Sequence, residues 1–233
     1  MRFVVLRLGR RSPLELQDRA QWLHASCARI LRRLKIETAS RGQRPAQGLI
    51  CSNHLSYLDI LVYAAVLPCV FVSKREVARW PAIGWFARAG GTIFVDRQSR
   101  TGTGEVTRQI ASVLEQGVPV LLFPEGTSTD GSVVQRFHPS LLEPAVQLNA
   151  EMTAAAIGYR ALDAPERDMC WYGEAAFTPH LIRTMARGSI RAEVEFYPGP
   201  AVHRERKAAA IELREQVQAL RMRMAREVAQ QDA

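Results

Sequence analysis

Long apolar runs are missing from this 233-residue chain: the longest uncharged apolar stretch, Ile60 to Val72, has 13 residues and contains Pro68. A membrane-spanning helix needs ~20, so none is expected. The apolar run near the N-terminus, Phe3 to Leu6, is broken by Arg2 and Arg7 and is too short for a signal-peptide core. Cysteine is scarce: Cys27, Cys51, Cys69 and Cys170 are scattered without a C-x-x-C pair, which argues against a disulfide framework or a zinc knuckle and makes a reducing cytosolic environment the default. His54, His138, His180 and His203 lack ligand-like spacing to one another, so no metal is expected. Aromatic residues make up only 7%, too few for a base-stacking surface. No repeat or low-complexity segment is visible. A 47% hydrophobic and 23% charged composition excludes disorder, collagen and coiled coil as whole-chain descriptions. It suits one large globular domain or a domain with an appendage.

Acidic residues are also scarce at one end. Residues 1–47 hold 11 Lys and Arg against Glu15, Asp18 and Glu37, which accounts for the whole net charge of +8. The remaining 186 residues carry 20 of each sign, so no basic groove for nucleic acid is expected in the body. Within the basic arm, Pro13 opens a helical pattern. Leu16, Ala20, Leu23, Cys27, Ile30, Leu31 and Leu34 form one apolar stripe, with Arg19, Arg29, Arg32, Arg33 and Lys35 around it and Trp22 at its edge. This is the composition of a helix lying in a membrane interface, and equally that of an amphipathic helix packed on its own domain. His24 is expected to face solvent. The reading taken is a membrane-interface helix over 1–37, a linker over 38–47 and a catalytic domain over 48–233.

Beyond residue 47, apolar runs of strand length alternate with helical stretches: Gly48 to Ser52, Val70 to Ser73, Thr92 to Val95, Val118 to Phe123 and Thr153 to Tyr159. The alternation predicts an α/β domain with a mostly parallel central sheet covered by helices. Ser189 to Tyr197 alternates as a last strand partly facing water. A long polar helix follows from His203, with Ile211, Leu213, Val217 and Leu220 towards the domain.

Three strand ends carry chemistry. Where the first strand hands over to a helix stands Ser52-Asn53-His54-Leu55-Ser56-Tyr57-Leu58-Asp59. Histidine is the usual general base near neutral pH, and a carboxylate on its other ring nitrogen fixes the tautomer. On a regular helix, positions five apart differ by about 140°, but His54 in the loop and Asp59 in the first turn bring the two within reach. Ser56 and Asp59 also fit a capping box, which would leave Asp59 a purely structural task. The strand Gly90 to Val95 ends in Asp96-Arg97. Arg97 either pairs with Asp96 at the surface or offers its fork to an anion. After Val118 to Phe123 comes Pro124-Glu125-Gly126-Thr127-Ser128-Thr129-Asp130-Gly131, a polar turn able to bind a hydroxylated ligand or serve as an ordinary loop.

Taken together, Asn53-His54 with Asp59, Phe94 with Asp96-Arg97, and Phe123-Pro-Glu-Gly-Thr127 resemble the glycerolipid acyltransferase family typified by lysophosphatidic acid acyltransferases. The likeness covers about residues 48–160, and the Phe71 to Lys74 strand and Trp80-Pro81 share it. The resemblance implies an acyltransferase fold. It implies that His54 deprotonates an acceptor hydroxyl as it attacks an acyl thioester, with Asp59 holding the imidazole and no acyl-enzyme. Substrate binding then falls to Asn53, Lys74, Arg97, Glu125, Gly126, Thr127 and Ser128. Donors near Gly126 or from Asn53 are candidates for the oxyanion.

The phosphate-lipid pattern commonly continues Glu-Gly-Thr with arginine, where this chain has Ser128. Ser128-Thr-Asp-Gly131, Phe137, Ser140-Leu-Leu, Trp171-Tyr-Gly-Glu174, Phe177 and Pro179-His180 instead resemble the branch that acylates lyso-ornithine lipid, whose carboxylate Arg97 could pair. The fourth family block appears only loosely, as Ala156-Ile157-Gly158, and is given no role. The implied activity is O-acylation of lyso-ornithine lipid in membrane lipid biosynthesis, with 1-acyl-sn-glycerol-3-phosphate acylation as the alternative. The implied donor is acyl-acyl carrier protein or acyl-coenzyme A, with no cofactor. The implied partners are membrane lipids and not nucleic acid, and the place is the cytoplasmic face of the cell membrane, peripheral or monotopic. A serine hydrolase using Ser128 is the alternative of another class, although Gly126 to Gly131 has one residue too many for a nucleophile elbow.

Overall fold

The computed structural model describes residues 14–80, 83–95, 102–187 and 189–231. Its helices are α1 (Leu16–Arg33), α2 (Leu58–Val66), α3 (Ile83–Ala89), α4 (Gly102–Glu115), α5 (Glu143–Gln147), α6 (Phe177–Met185) and α7 (Arg206–Gln231). The strands are β1 (Ile36–Arg41), β2 (Leu49–Ser52), β3 (Val70–Lys74), β4 (Ile93–Val95), β5 (Val120–Leu122), β6 (Glu151–Ala161), β7 (Ile190–Phe196) and β8 (Ala201–Val202). They form one sheet in the order β1-β7-β6-β2-β5-β3-β4, with β8 beside β6. Strands β6, β2, β5, β3 and β4 are mutually parallel. Strand β7 runs antiparallel to β6 and carries β1 parallel to itself.

Alternation along the strands feeds two cores, as successive side chains must point to opposite faces. Ile50, Phe71, Leu121, Ala155 and Ile157 meet α1 and α2 on one face. Leu49, Cys51, Val70, Val120, Leu122 and Ala154 meet α4, α5 and α7 on the other. The central strands are buried on both sides, which is why they read as unbroken apolar runs.

Several expectations are corrected here. The apolar stripe of α1 does not face a bilayer: Ala20, Trp22, Leu23, Cys27 and Leu31 are buried, and Trp22 packs against Phe86 at 4.9 Å between ring centroids. His24 is partly buried and bonds through Nδ1 to the Ala64 carbonyl at 2.8 Å, tying α1 to α2. What α1 leaves in water is its charge, since Arg29, Arg32, Arg33 and Lys35 are exposed. The first part of the segment read as a linker belongs to β1, paired from Ile36 to Arg41 with Ile190 to Glu195 of β7. Its sequence, IETASR, has one fully buried apolar residue, Ile36, so period-2 reasoning had nothing to detect. Residues 16–41 are thus part of the domain and not an appendage. On α7 the inward face is Ala209, Ala210, Leu213, Val217, Leu220 and Met224, while Ile211 is exposed. Ile211 lies two residues, about 200°, from Leu213 and so points away from the domain.

Candidate active site

The site starts where β2 runs out. Strand pairing between β2 and β6 ends at Ser52 and Ala155, and the Asn53 side chain continues the ladder. Its Nδ2 donates to the Ile157 carbonyl at 3.1 Å and its Oδ1 accepts the Ile157 N–H at 2.9 Å. An amide side chain offers the same donor and acceptor as a peptide group, so the backbone is held at the residue that precedes His54. Asp59, in the first turn of α2, is fully buried. Its Oδ2 accepts the His54 Nδ1–H at 2.7 Å and the backbone N–H groups of Leu55 and Ser56 at 2.7 and 3.1 Å. Both sequence readings of Asp59 therefore hold at once: it caps the turn and orients the imidazole.

With Nδ1 donating to the carboxylate, the neutral ring has its lone pair on Nε2. Nε2 takes no partner among the described residues, and the His54 side chain is 20% exposed. The ring stacks on Phe123, centroids 4.2 Å apart and planes 16° from parallel. The base is fixed on one edge and one face and open on the other edge.

The turn after β5 supports this loop. Glu125 is buried, and its Oε1 and Oε2 accept the backbone N–H groups of His54 and Gln135, each at 2.7 Å. Burial pushes its carboxyl above the usual carboxylate range against the pull of those two amides and of His54. Thr129 N–H donates to the His54 carbonyl at 2.9 Å. Gly126, at φ +74°, makes the reversal that lets these bonds form, and its N–H is spent on the Phe123 carbonyl at 3.0 Å. The expectation of oxyanion donors from Asn53 or Gly126 is thereby corrected, because both groups are already committed to the protein. Thr127 is exposed beside the site. Ser128 donates its hydroxyl to the Trp171 carbonyl, and no imidazole bonds to it among the described residues, which removes the basis for a serine nucleophile. Lys74 is exposed at the carboxyl end of β3. Arg97, with Asp96, lies outside the described residues.

Three groups escaped the sequence reading. Tyr159, on β6, donates its hydroxyl to Asp59 Oδ1 at 2.5 Å. Arg221, on α7, forms a double bridge to Glu166, Nη1 to Oε1 at 3.0 Å and Nη2 to Oε2 at 2.7 Å, and also donates to the carbonyls of Ile157 and Gly131. The loose block at 156–158 is what permits this, since a Cβ on Gly158 would lie 2.8 Å from Arg221 Nη1. The third is an aromatic rim in which Tyr57 and Trp80 meet Phe177 at 4.9 and 5.0 Å and Trp171 flanks Tyr57 at 6.0 Å. His180 holds the rim through Tyr57 Oη at 3.1 Å and the Cys170 carbonyl at 3.0 Å, and burial pulls its imidazole towards the neutral form. Among the described residues no three His, Cys, Asp or Glu side chains are grouped to hold a metal ion.

A family model described as Acyltransferase matches residues 33–158, more than half of the chain and the whole stretch from His54 to Glu125. The chain belongs to the acyltransferase family. It is 32% identical over 189 residues to a lyso-ornithine lipid O-acyltransferase of Pseudomonas aeruginosa, spanning 78% of this chain and 70% of that protein. It is 28% identical over 154 residues to a 1-acyl-sn-glycerol-3-phosphate acyltransferase of Neisseria gonorrhoeae, spanning 66% of this chain and 60% of that one. The fold matches the crystal structure of the 1-acyl-sn-glycerophosphate acyltransferase PlsC of Thermotoga maritima, with a TM-score of 0.63 at 19% identity over 90% of this chain and 79% of that one. In this acyltransferase the ion pair of Glu166 and Arg221 and the rim residues Trp171 and Phe177 lie beyond the stretch that the family model matches.

Proposed function

We propose that this acyltransferase moves a fatty acyl group from a thioester to the hydroxyl of lyso-ornithine lipid, with His54 as general base. The observation that carries the reading is the His54 to Asp59 bond of 2.7 Å with Nε2 open beside a strand end. Nε2 accepts the proton of the acceptor hydroxyl as that oxygen bonds to the thioester carbonyl carbon. The tetrahedral species collapses with cleavage of the carbon–sulfur bond, and the imidazolium returns the proton to the departing thiolate. Asp59 stabilises the imidazolium throughout. The acceptor choice is supported by Ser128, which puts a hydroxyl bound to Trp171 where a phosphate-binding arginine would otherwise stand, and by the names of relatives. Lys74 and Arg97 are the cations that remain for the acceptor carboxylate. Glu125 serves through its grip on the His54 and Gln135 amides.

An acceptor panel tests this. Purified protein is given lyso-ornithine lipid or 1-acyl-glycerol-3-phosphate, each with acyl-acyl carrier protein and with acyl-coenzyme A, and thiol release is followed. Ornithine lipid is expected as the product of at least one donor, at ten or more times the rate with the phosphate lipid. Acylation of the phosphate lipid alone overturns the acceptor assignment and leaves the base assignment standing.

Both substrates are amphiphiles, so we place the enzyme peripherally at the cytoplasmic membrane face. No helix among the described residues is long and apolar enough to cross a membrane. The support is the basic excess of residues 1–47 together with the exposed Arg29, Arg32, Arg33 and Lys35, each such cation being worth about 1 kcal/mol near an anionic surface. Because the stripe of α1 is buried, the attachment is electrostatic. Sedimentation with vesicles is expected to show binding to anionic lipid at ~0.1 M salt and release at ~1 M, where screening shrinks to about 3 Å. Equal, salt-insensitive binding to zwitterionic vesicles would contradict it.

A further inference from the structure

We infer that Tyr159 is a positioning residue that sets how strongly Asp59 favours the protonated form of His54. The inference rests on the proposed role of His54 as base. The two oxygens of Asp59 are used differently: Oδ2 receives His54 and two backbone amides, while Oδ1 receives the Tyr159 hydroxyl at 2.5 Å. Both side chains are buried, Asp59 at 0% and Tyr159 at 4% exposure, so this bond forms in a low dielectric where charge-assisted hydrogen bonds are strong. Tyr159 is itself fixed. Its N–H donates to Glu166 Oε1 at 2.8 Å, and Glu166 is held in turn by Arg221 on α7. A chain of bonds thus runs from the C-terminal helix to the oxygen of Asp59 that does not touch His54.

The electrostatic consequence has a definite sign. A phenol donating to Oδ1 draws negative charge away from Oδ2, and this weakens the attraction of the carboxylate for an imidazolium. Burial first, and then the charge of Asp59, hold the Tyr159 phenol far above its ordinary range, so it stays a donor throughout any workable assay. The other groups that face the dyad are accounted for. The Tyr63 hydroxyl and Cys170 thiol are pushed up by burial and stay neutral. Glu166 and Arg221 pair with each other. Glu125 faces His54 through the backbone amide it accepts. None of them loses a partner when only the Tyr159 hydroxyl is removed. His54 in Tyr159→Phe should then hold its proton to higher pH and be idle as a base over a wider acid range.

The experiment is the pH dependence of kcat/KM for wild type, Tyr159→Phe, Tyr159→3-fluorotyrosine and His54→Ala, with the titration of the His54 imidazole followed by NMR in the first three. In Tyr159→Phe the acid limb is expected to move up by about one pH unit, a loss of about tenfold on the acid side and a smaller one on the plateau, with KM for both substrates little changed. The more acidic fluorinated phenol is a stronger donor of nearly the same shape and should move the limb the other way. The NMR midpoint should follow both shifts and can be read even in a variant too slow to assay. A purely structural Tyr159 would lower activity by one factor at every pH with the limb and the NMR midpoint unmoved, and that result overturns the inference while leaving His54 as base. Retention of the acid limb in an active His54→Ala protein would instead remove the base assignment on which the inference stands.

Discussion

Replacing His54 by alanine is expected to lower acyl transfer by about 10³-fold, within the 10²–10⁴ that a positioned general acid–base supplies, while the protein stays folded. The effect on rate is large because the structure offers no substitute. Glu125 has both oxygens turned to backbone amides, and His180 has both ring nitrogens bonded. The effect on stability is small because the bonds that shape the loop are not made by the imidazole. The His54 backbone still donates to Glu125 and accepts from Thr129. The Asp59 carboxylate keeps the Leu55 and Ser56 amides and the Tyr159 hydroxyl, so the lost partner does not leave a bare buried charge. What is forfeited is the stacking on Phe123, worth about 1 kcal/mol. Thiol-release kinetics and thermal unfolding check the two halves separately. Transfer above one tenth of wild type in a folded His54→Ala protein would remove His54 from the mechanism.

Replacing Arg221 by alanine is expected to have the largest effect on stability, about 3 kcal/mol. Breaking a buried ion pair typically costs 3–5 kcal/mol because the remaining charge is stranded. The lower figure applies because the Glu166 side chain is still 30% exposed and can be partly rehydrated. For a chain of this size the melting temperature should fall by roughly 6–12 °C. Arg221 also bonds the Ile157 carbonyl, which Asn53 shares, and the Gly131 carbonyl in the turn after β5, so activity should fall beyond what unfolding explains. The double variant Arg221→Met with Glu166→Gln removes both charges while Gln keeps an acceptor for the Tyr159 amide, and it should be more stable than Arg221→Ala. A double variant no better than the single one would show that the contribution is packing and not charge.

These two sites differ in how far the sequence betrays them. His54 and Asp59 lie five positions apart at one strand end, so local geometry brings them together, and Glu125 is marked by the strand before it. Tyr159 and Arg221 lie 100 and 162 positions from Asp59 and read as an ordinary strand tyrosine and one arginine of a polar helix. The signal that could have found Arg221 was its placement on the apolar face of α7, four residues after Val217 and three before Met224. The signal for Tyr159 was weaker still, since a strand end beside β2 could equally have held any buried residue.

The N-terminal segment is the opposite case, in which sequence showed too much. The stripe of α1 is real, and a stripe alone does not say what buries it. An amphipathic face gains about the same free energy against a bilayer as against a protein core. Strand β1, polar and at the sheet edge, gave no periodic signal that would have drawn the segment into the domain.

By itself the sequence determined the α/β class, the positions of the central strands, the base with its carboxylate, and a net charge confined to the first 47 residues. These are local properties, set by periodicity, spacing and composition. Only the tertiary structure decided that α1 belongs to the core, that Asn53, Gly126 and Ser128 are bonded to the protein, and that Asp59 is shared between His54 and Tyr159. Each of those depends on which distant strand or helix arrives beside β2, and the free energy that brings it there is spread over two whole cores and written in no single motif.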